Sequence, residues 1–154
     1  MANITQTIEN TTKELLELMG IEFSLKVKDA DGAFEVQIDS EETGMLIGYH
    51  GETLSALQII LGLLVHRKLG EWQRVTVNVG DYLEKRFRQL ESMADSAVDQ
   101  ALDEQVSVTL PYLNSRERRH IHLYLGKIEG IRTESVGEDE ERRLVVFPVP
   151  KTRS

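Results

Sequence analysis

The segment TGMLIGYHGETL (residues 43–54) reads as two short apolar, helix-compatible runs parted by Ile47-Gly48-Tyr49-His50-Gly51. Glycine has no Cβ, so a backbone carrying Gly48 and Gly51 can take turns that other residues resist and can approach a phosphodiester closely. The helix that follows offers free N–H groups and a partial positive charge at its start, both suited to phosphate. A bare Gly-x-x-Gly is nevertheless a weak signal, since most such spacings are simply turns. From Glu52 to Leu69 the pattern is helical and nearly apolar through its middle, which predicts a well-buried helix closed by Gly70. Upstream, Phe34, Val36 and Ile38 alternate with polar residues as in a half-buried strand, and Asp31-Gly32 marks a turn after a strand expected over Ile21–Val27. Ile4, Ile8, Leu15, Leu18 and Met19 recur at helical spacing and stop at Gly20. Downstream, Val75, Val77 and Val79 alternate in a further strand. The order is helix, strand, strand, helix, helix, strand.

Beyond this unit the sequence predicts a long helix. Asp81 and Glu84 have the spacing of a capping box, and Leu83, Phe87, Leu90, Ala94, Ala97 and Ala101 fall on one face. A strand is expected over Val106–Leu110, a helix from Asn114 or Ser115 to Gly126, and strands at Ile131–Val136 and Arg142–Phe147 joined by the acidic turn Gly137–Glu141. No Pro-, Gly- or Ser-rich linker interrupts residues 70–110. The expected architecture is therefore α+β: one unit over 1–80, a connecting helix with a second unit over 81–150, and a tail at 151–154 carrying Lys151 and Arg153.

Composition sets the outer limits. With 40% hydrophobic and 29% charged residues in 154, the chain is that of a folded globular protein. No apolar run approaches the ~20 residues of a membrane span, so no membrane insertion is expected. No basic-then-apolar leader opens the sequence, and the expected compartment is the cytoplasm. The absence of cysteine excludes disulfides, thiolate zinc sites and a cysteine nucleophile. The net charge of −8 argues at first against a nucleic-acid partner, but it is unevenly spread. Residues 1–42 carry −7 and 81–110 carry −4, whereas 43–80 carry +1 and 111–154 carry +2.

Nucleotide-binding enzyme motifs fail. Gly44, Gly48 and Gly51 do not form a dinucleotide fingerprint, and the strand before them alternates apolar and polar. The Gly-Lys pair at Gly126-Lys127 is followed by Ile128 rather than Ser or Thr. A nuclease would need clustered carboxylates to hold Mg²⁺, and none is visible. The other notable segment is Ser115–Leu125. Arg118 and His122 are four apart and project from one helix face, where they can grip one ligand; Arg116 and Arg119 share a neighbouring face. His120 and His122 are two apart and point to opposing sides, which disfavours a metal site. His66-Arg67-Lys68 complement the dipole at a helix end, Trp72 is expected as a packing anchor, and Arg143 as an extension of the basic face.

The order αββααβ with Ile-Gly-x-x-Gly between its central helices resembles a KH domain of type II topology. Arg-x-x-x-His on a helix after a strand, with Leu113-Asn114 before Glu117-Arg118-Arg119 and Ile121-His122, resembles the R-three-H domain, a single-stranded nucleic-acid-binding module. The later Thr133-x-Ser135-x-Gly137 and Arg143-x-Val145-Val146 fit the same pattern. A KH unit leading into such a module through a helix that opens Asp81-Tyr82 and carries Arg86 is similar to the bacterial Jag family, also called KhpB or SpoIIIJ-associated protein. The resemblance covers roughly residues 20–148. It implies single-stranded RNA, with single-stranded DNA as the alternative, held at Ile47, Gly48, Tyr49, His50 and Gly51 over a floor that includes Leu54 and Leu57. It also implies a second contact at Arg118, Arg119 and His122, and neither catalysis, nor metal, nor cofactor. A role as RNA chaperone or post-transcriptional regulator, with a small single-KH protein as partner, follows from the same resemblance. Two departures matter. Tyr49 and His50 stand where such loops commonly carry Lys or Arg, so phosphate attraction there should be weaker. A counterpart of the N-terminal domain and charged linker of many Jag proteins is not expected, which puts membrane-proximal placement in doubt. The rival class is a protein-interaction scaffold using the acidic surface.

Overall fold

A computed structural model describes residues 3–150; the tail with Lys151 and Arg153 lies outside the described residues. Helix α1 (Ile4–Leu18) starts at Asn3, whose side chain accepts the Gln6 N–H at 3.2 Å. Its inward face includes Thr11 and Thr12, whose buried hydroxyls donate to the carbonyls of Thr7 (2.6 Å) and Ile8 (2.7 Å). Those bonds remove the cost of leaving a polar group dry. Strands β1 (Ser24–Ala30) and β2 (Ala33–Asp39) form an antiparallel hairpin. Its turn is Asp31 and Gly32, both at positive φ (53° and 83°), as a two-residue hairpin with the right twist requires.

The first strand thus lies three residues later than the expected Ile21–Val27. The tight turn sets Ala30 opposite Ala33, so pairing runs through Lys28 and Asp29 up to the turn and ends at Ser24. Ile21 and Phe23 still pack on the core, ahead of the strand. Strand β3 (Arg74–Val79) adds in parallel to β2, giving the order β1-β2-β3. Between β2 and β3 run α2 (Thr43–Ile47), a 3₁₀ turn at Tyr49–Gly51 and α3 (Glu52–Leu69). This is the αββααβ order of a type II KH unit, with Ile8, Leu16, Val36, Ile38, Leu61, Val65 and Val77 at its centre.

Helix α3 is not buried throughout. Leu54, Leu57, Leu61 and Val65 are buried, whereas Ile59, Ile60 and Leu63 are 64%, 45% and 51% exposed. The helix packs on α1 and β3 by one face only, so its opposite face stays open despite being apolar. Trp72, expected as a packing anchor, is largely exposed and stacks its ring on His66, centroids 4.0 Å apart.

The chain divides into two compact units between Leu83 and Glu84, within the first turn of α4 (Tyr82–Glu104). Leu90, Ala94, Ala97, Val98 and Ala101 form the buried stripe of α4 in the second unit. That unit continues with β4 (Val108–Thr109), α5 (Ser115–Leu125), β5 (Ile131–Val136) and β6 (Arg143–Pro148). Its sheet is antiparallel in the order β4-β6-β5. The expected strand Val106–Leu110 is reduced to two residues: Val106 is exposed, and past the Leu110 N–H, which donates to Leu144 at 2.9 Å, Pro111 has no N–H to offer. Leu113, Ile121, Leu125, Leu144 and Val146 pack with the α4 stripe as a second core. Among the described residues, no helix is long and apolar enough to cross a membrane.

Candidate functional site

The predicted site residues fall into two groups, one in each unit. In the first, the loop 48–51 has a backbone that side chains would obstruct. Gly48 (φ 70°), His50 (φ 50°) and Gly51 (φ 80°) all lie in the left-handed region. A Cβ on Gly48 would stand 2.1 Å from Thr53 Oγ1, and one on Gly51 would stand 2.5 Å from the Tyr82 hydroxyl oxygen. The two glycines are therefore needed both for conformation and for space. The result is a loop that aims its middle residues outward. Tyr49 is 76% exposed, His50 is exposed, and their rings meet edge to face with centroids 4.0 Å apart. Ile47 is half-buried at the loop's entry. No side chain caps the start of α3, which leaves N–H groups of its first turn free of side-chain acceptors. Leu54 and Leu57 are buried in the core, so they support the loop from beneath rather than line an open floor.

The second group forms around the start of α5. Asn114 caps the helix: its Oδ1 accepts the Glu117 N–H at 2.9 Å, and Glu117 Oε2 accepts the Asn114 N–H at 3.1 Å. The other carboxylate oxygen of Glu117, Oε1, accepts from Arg86 Nε at 2.8 Å. Glu117 is nearly fully buried, so α5 is tied to α4 by an ion pair that solvent barely reaches. Arg118 donates from Nη1 to the Leu113 carbonyl at 2.6 Å, which steadies its guanidinium while leaving other N–H groups free. His122 Nδ1 lies 2.5 Å from Thr133 Oγ1 on β5.

These fixed side chains open onto a cavity of about 460 Å³ lined by Ser115, Arg118, Arg119, His122, Ser135 and Arg142. Three guanidinium groups, an imidazole and two hydroxyls surround it, and no carboxylate is among its walls. Such a lining suits an oxyanion with several acceptor oxygens, a phosphodiester above all.

Arg119 lines the cavity beside Arg118 and His122, while the Arg116 guanidinium lies 5.8 Å from the Phe87 ring centre. One expectation about this face needs correction. Arg142, not Arg143, extends the basic face. Arg143 folds back to donate to the carbonyls of Glu140 (2.6 Å) and Arg142 (3.0 Å) and sits over Tyr112. Arg142 immediately precedes β6 with an extended backbone (φ −67°, ψ 128°) and Arg143 opens the strand, so the two neighbouring side chains leave on opposite sides. Sequence reasoning misses Ser115, Ser135 and Arg142. For Ser135 a usable signal exists: Ile131, Thr133 and Ser135 form one half-buried face of β5, so a ligand shared with His122 at Thr133 reaches Ser135 as well.

His120 points elsewhere, as its spacing from His122 implies. It stacks on Phe87 at 4.1 Å and meets Glu91 Oε1 at 2.8 Å. Among the described residues, no three His, Asp or Glu side chains converge in a way that could hold a metal ion. Tyr124, on the same helix, donates to both carboxylate oxygens of Asp95 (3.0 and 3.1 Å). That bond, with burial and the charges of Asp95 and Glu91, raises its phenol above the ordinary value of 10.0.

Comparison with known proteins bears on both groups. Residues 5–79 match the KH domain of KhpA/KhpB, and residues 88–148 match the R-three-H domain. Among curated relatives, the RNA-binding protein KhpB of Streptococcus pneumoniae serotype 2 is 30% identical over 132 residues, covering 86% of this chain and 40% of the relative. The protein of that name from Bacillus subtilis is 34% identical over 122 residues, covering 78% of this chain and 59% of the relative. That from Clostridium symbiosum is 28% identical over 147 residues, covering 92% and 66%. The chain thus spans about two fifths of the length of the pneumococcal relative.

Proposed function

Because the chain belongs to the KhpB family, joining a KhpA/KhpB-type KH domain to an R-three-H domain, we propose that it binds single-stranded RNA without catalysing a reaction on it. The observation that carries this reading is the cavity of Ser115, Arg118, Arg119, His122, Ser135 and Arg142, cationic within a protein whose net charge is −8. An acidic protein repels polyanions in general, so an open depression lined by guanidinium groups points to one defined anionic contact. The loop at Ile47, Gly48, Tyr49, His50 and Gly51 supplies the other. Its backbone is open to phosphate, and the exposed Tyr49 ring can stack on a base, the mode by which proteins hold unpaired nucleotides.

Two modest contacts on one chain raise affinity through effective concentration, which offsets the missing Lys or Arg in the loop. A protein built this way holds RNA in an unpaired state, the activity of an RNA chaperone or post-transcriptional regulator. A small single-KH protein is proposed as a partner, on the family relationship alone. The test is fluorescence anisotropy with labelled single-stranded RNA. Replacing Tyr49 and His50 together with Asp should reduce affinity at least tenfold while leaving the thermal midpoint nearly unchanged, because neither side chain is buried. Unchanged affinity in the folded double variant would remove the loop from the binding site.

A further inference from the structure

Tyr112 stands in the short link between β4 and α5, 54% exposed, although the chain on either side of it is fixed. Before it, Leu110 is buried and its N–H donates to the Leu144 carbonyl at 2.9 Å, and Pro111 locks its own φ. After it, Leu113 is buried, its carbonyl accepts from Arg118 Nη1 at 2.6 Å, and Asn114 caps α5. The ring lies under the Arg143 guanidinium, 5.4 Å from its centre, and that guanidinium is anchored on the carbonyls of Glu140 and Arg142. One face of the ring is thus covered by a fixed cation, and the exposure that remains belongs to the opposite face and the edge. A flat ring held in this way can stack on a planar partner at little entropic cost. Among the described residues of the second unit it is the one aromatic side chain that is largely exposed; Phe87, Tyr124 and Phe147 are half-buried.

We propose that Tyr112 is the stacking platform for the nucleobase next to the phosphate held in the α5 cavity, an inference that rests on the RNA reading above. Two chain adjacencies place the ring at the cavity's rim. Leu113, whose carbonyl steadies the cavity residue Arg118, follows Tyr112, and Arg142, which lines the cavity, precedes Arg143. Neighbouring Cα atoms are about 3.8 Å apart, so ring and cavity are joined by single steps of the backbone. The strand register agrees. Ser135 in the cavity wall pairs with Leu144, and Val136 with Arg143, which sets cavity and ring at the same end of the sheet. Arg142 turns to the cavity and Arg143 away from it, so the ring lies across the rim from the phosphate contact. A lone phosphate is satisfied within the cavity, whereas a strand that crosses the rim meets the ring as well. Stacking of an unpaired base on a tyrosine is the contact such a strand can make there whatever its sequence.

The experiment measures the affinity of the full chain for a short, labelled, unstructured RNA of mixed sequence by fluorescence anisotropy across a salt series. Tyr112→Ala and Tyr112→Leu should each weaken binding by about tenfold, the scale of one lost base–aromatic stack. Tyr112→Phe keeps the ring and should stay within about twofold of wild type. Thermal midpoints of all three should remain near the wild-type value, because the side chain is mostly outside the core. Salt dependence separates stacking from a structural role. A stacked base releases no counterions, so the slope of log affinity against log salt should be the same in Tyr112→Ala as in wild type. Arg142→Ala, which removes a phosphate contact, should reduce the magnitude of that slope by about 0.7. Unchanged affinity in Tyr112→Ala, in a chain that otherwise binds RNA, would overturn the stacking contact and leave the RNA reading standing; no binding by the wild type would overturn both. A shallower slope in Tyr112→Ala would also overturn the proposal, because the ring would then act by holding the arginines rather than by touching a base. An equal loss in Tyr112→Phe would do the same by assigning the effect to the hydroxyl.

Discussion

Glu117→Gln is the substitution that separates support of the cationic cavity from the cavity itself. The Glu117 carboxylate accepts from Arg86 Nε at 2.8 Å and from the Asn114 N–H at 3.1 Å. The side chains of Glu117 and Arg86 retain only 8% and 18% of their exposure. Glutamine fills the same volume but brings one acceptor where two were used, and turns an NH₂ toward a donor. The Arg86 guanidinium also loses its counter-charge in a site that water scarcely enters. A hydrogen bond to a charged group contributes about 1.5–3 kcal/mol, and breaking a buried pair costs about 3–5 kcal/mol. Arg86 keeps some solvent, so a loss of roughly 2–3 kcal/mol is expected for the second unit. For a unit of this size that is a fall of roughly 8–24 °C in its transition.

Differential scanning calorimetry on the full chain is the appropriate assay, because the two compact units can melt in separate steps. Arg86→Met should cost a similar amount, and Arg86→Met with Glu117→Leu should recover most of the loss, leaving a coupling of about 1.5 kcal/mol or more. RNA affinity should fall with the single variants even below their transitions, since the α5 cap that orients Arg118 loosens with them. A fall under about 2 °C for Glu117→Gln, or additive effects in the cycle, would show that the pair does not hold α5 in place.

Gly48→Ala should destabilise the first unit by about 1–3 kcal/mol and weaken RNA binding, because a Cβ there meets Thr53 Oγ1 at 2.1 Å with φ at 70°; chemical denaturation and anisotropy check the two effects. Tyr124 should ionise above pH 10.0 in the folded protein, as the difference in ultraviolet titration between wild type and Tyr124→Phe would report. Since its folded value is raised, the contribution of the Asp95 bond to stability is present below the unfolded tyrosine value and is lost as pH rises through the folded one. Asp95→Asn should return the ionisation toward 10.0.

Much of this arrangement is legible in the sequence. Alternation finds β2 and β3, helical spacing and glycine stops find α1, α3 and α5, and the Gly48-x-x-Gly51 spacing marks a loop whose φ values do require glycine. What escapes has physical causes. Hydropathy marks which residues are apolar but not whether a second layer exists to cover them, so the outer face of α3 reads as buried. Strand β1 is set too early because its end is fixed by pairing with β2 across the Asp31-Gly32 turn, a constraint that periodicity does not carry. At the cavity, Arg118 and His122 are found by their helical interval. Arg142 and Ser135 come from segments further along the chain, and only folding brings them to the same wall. Arg142 and Arg143 are indistinguishable by composition; the extended backbone where the chain enters β6 sends one to the cavity and the other onto Tyr112.

The central claim, that RNA is held at two defined contacts, is tested most directly by crosslinking the protein to RNA in cells and mapping the modified peptides by mass spectrometry. Nucleotide adducts should fall on the peptide containing Tyr49 and His50 and on those containing Arg118–His122 or Arg142. Adducts confined to other surfaces, or their absence from both sites while RNA is recovered with the protein, would contradict it.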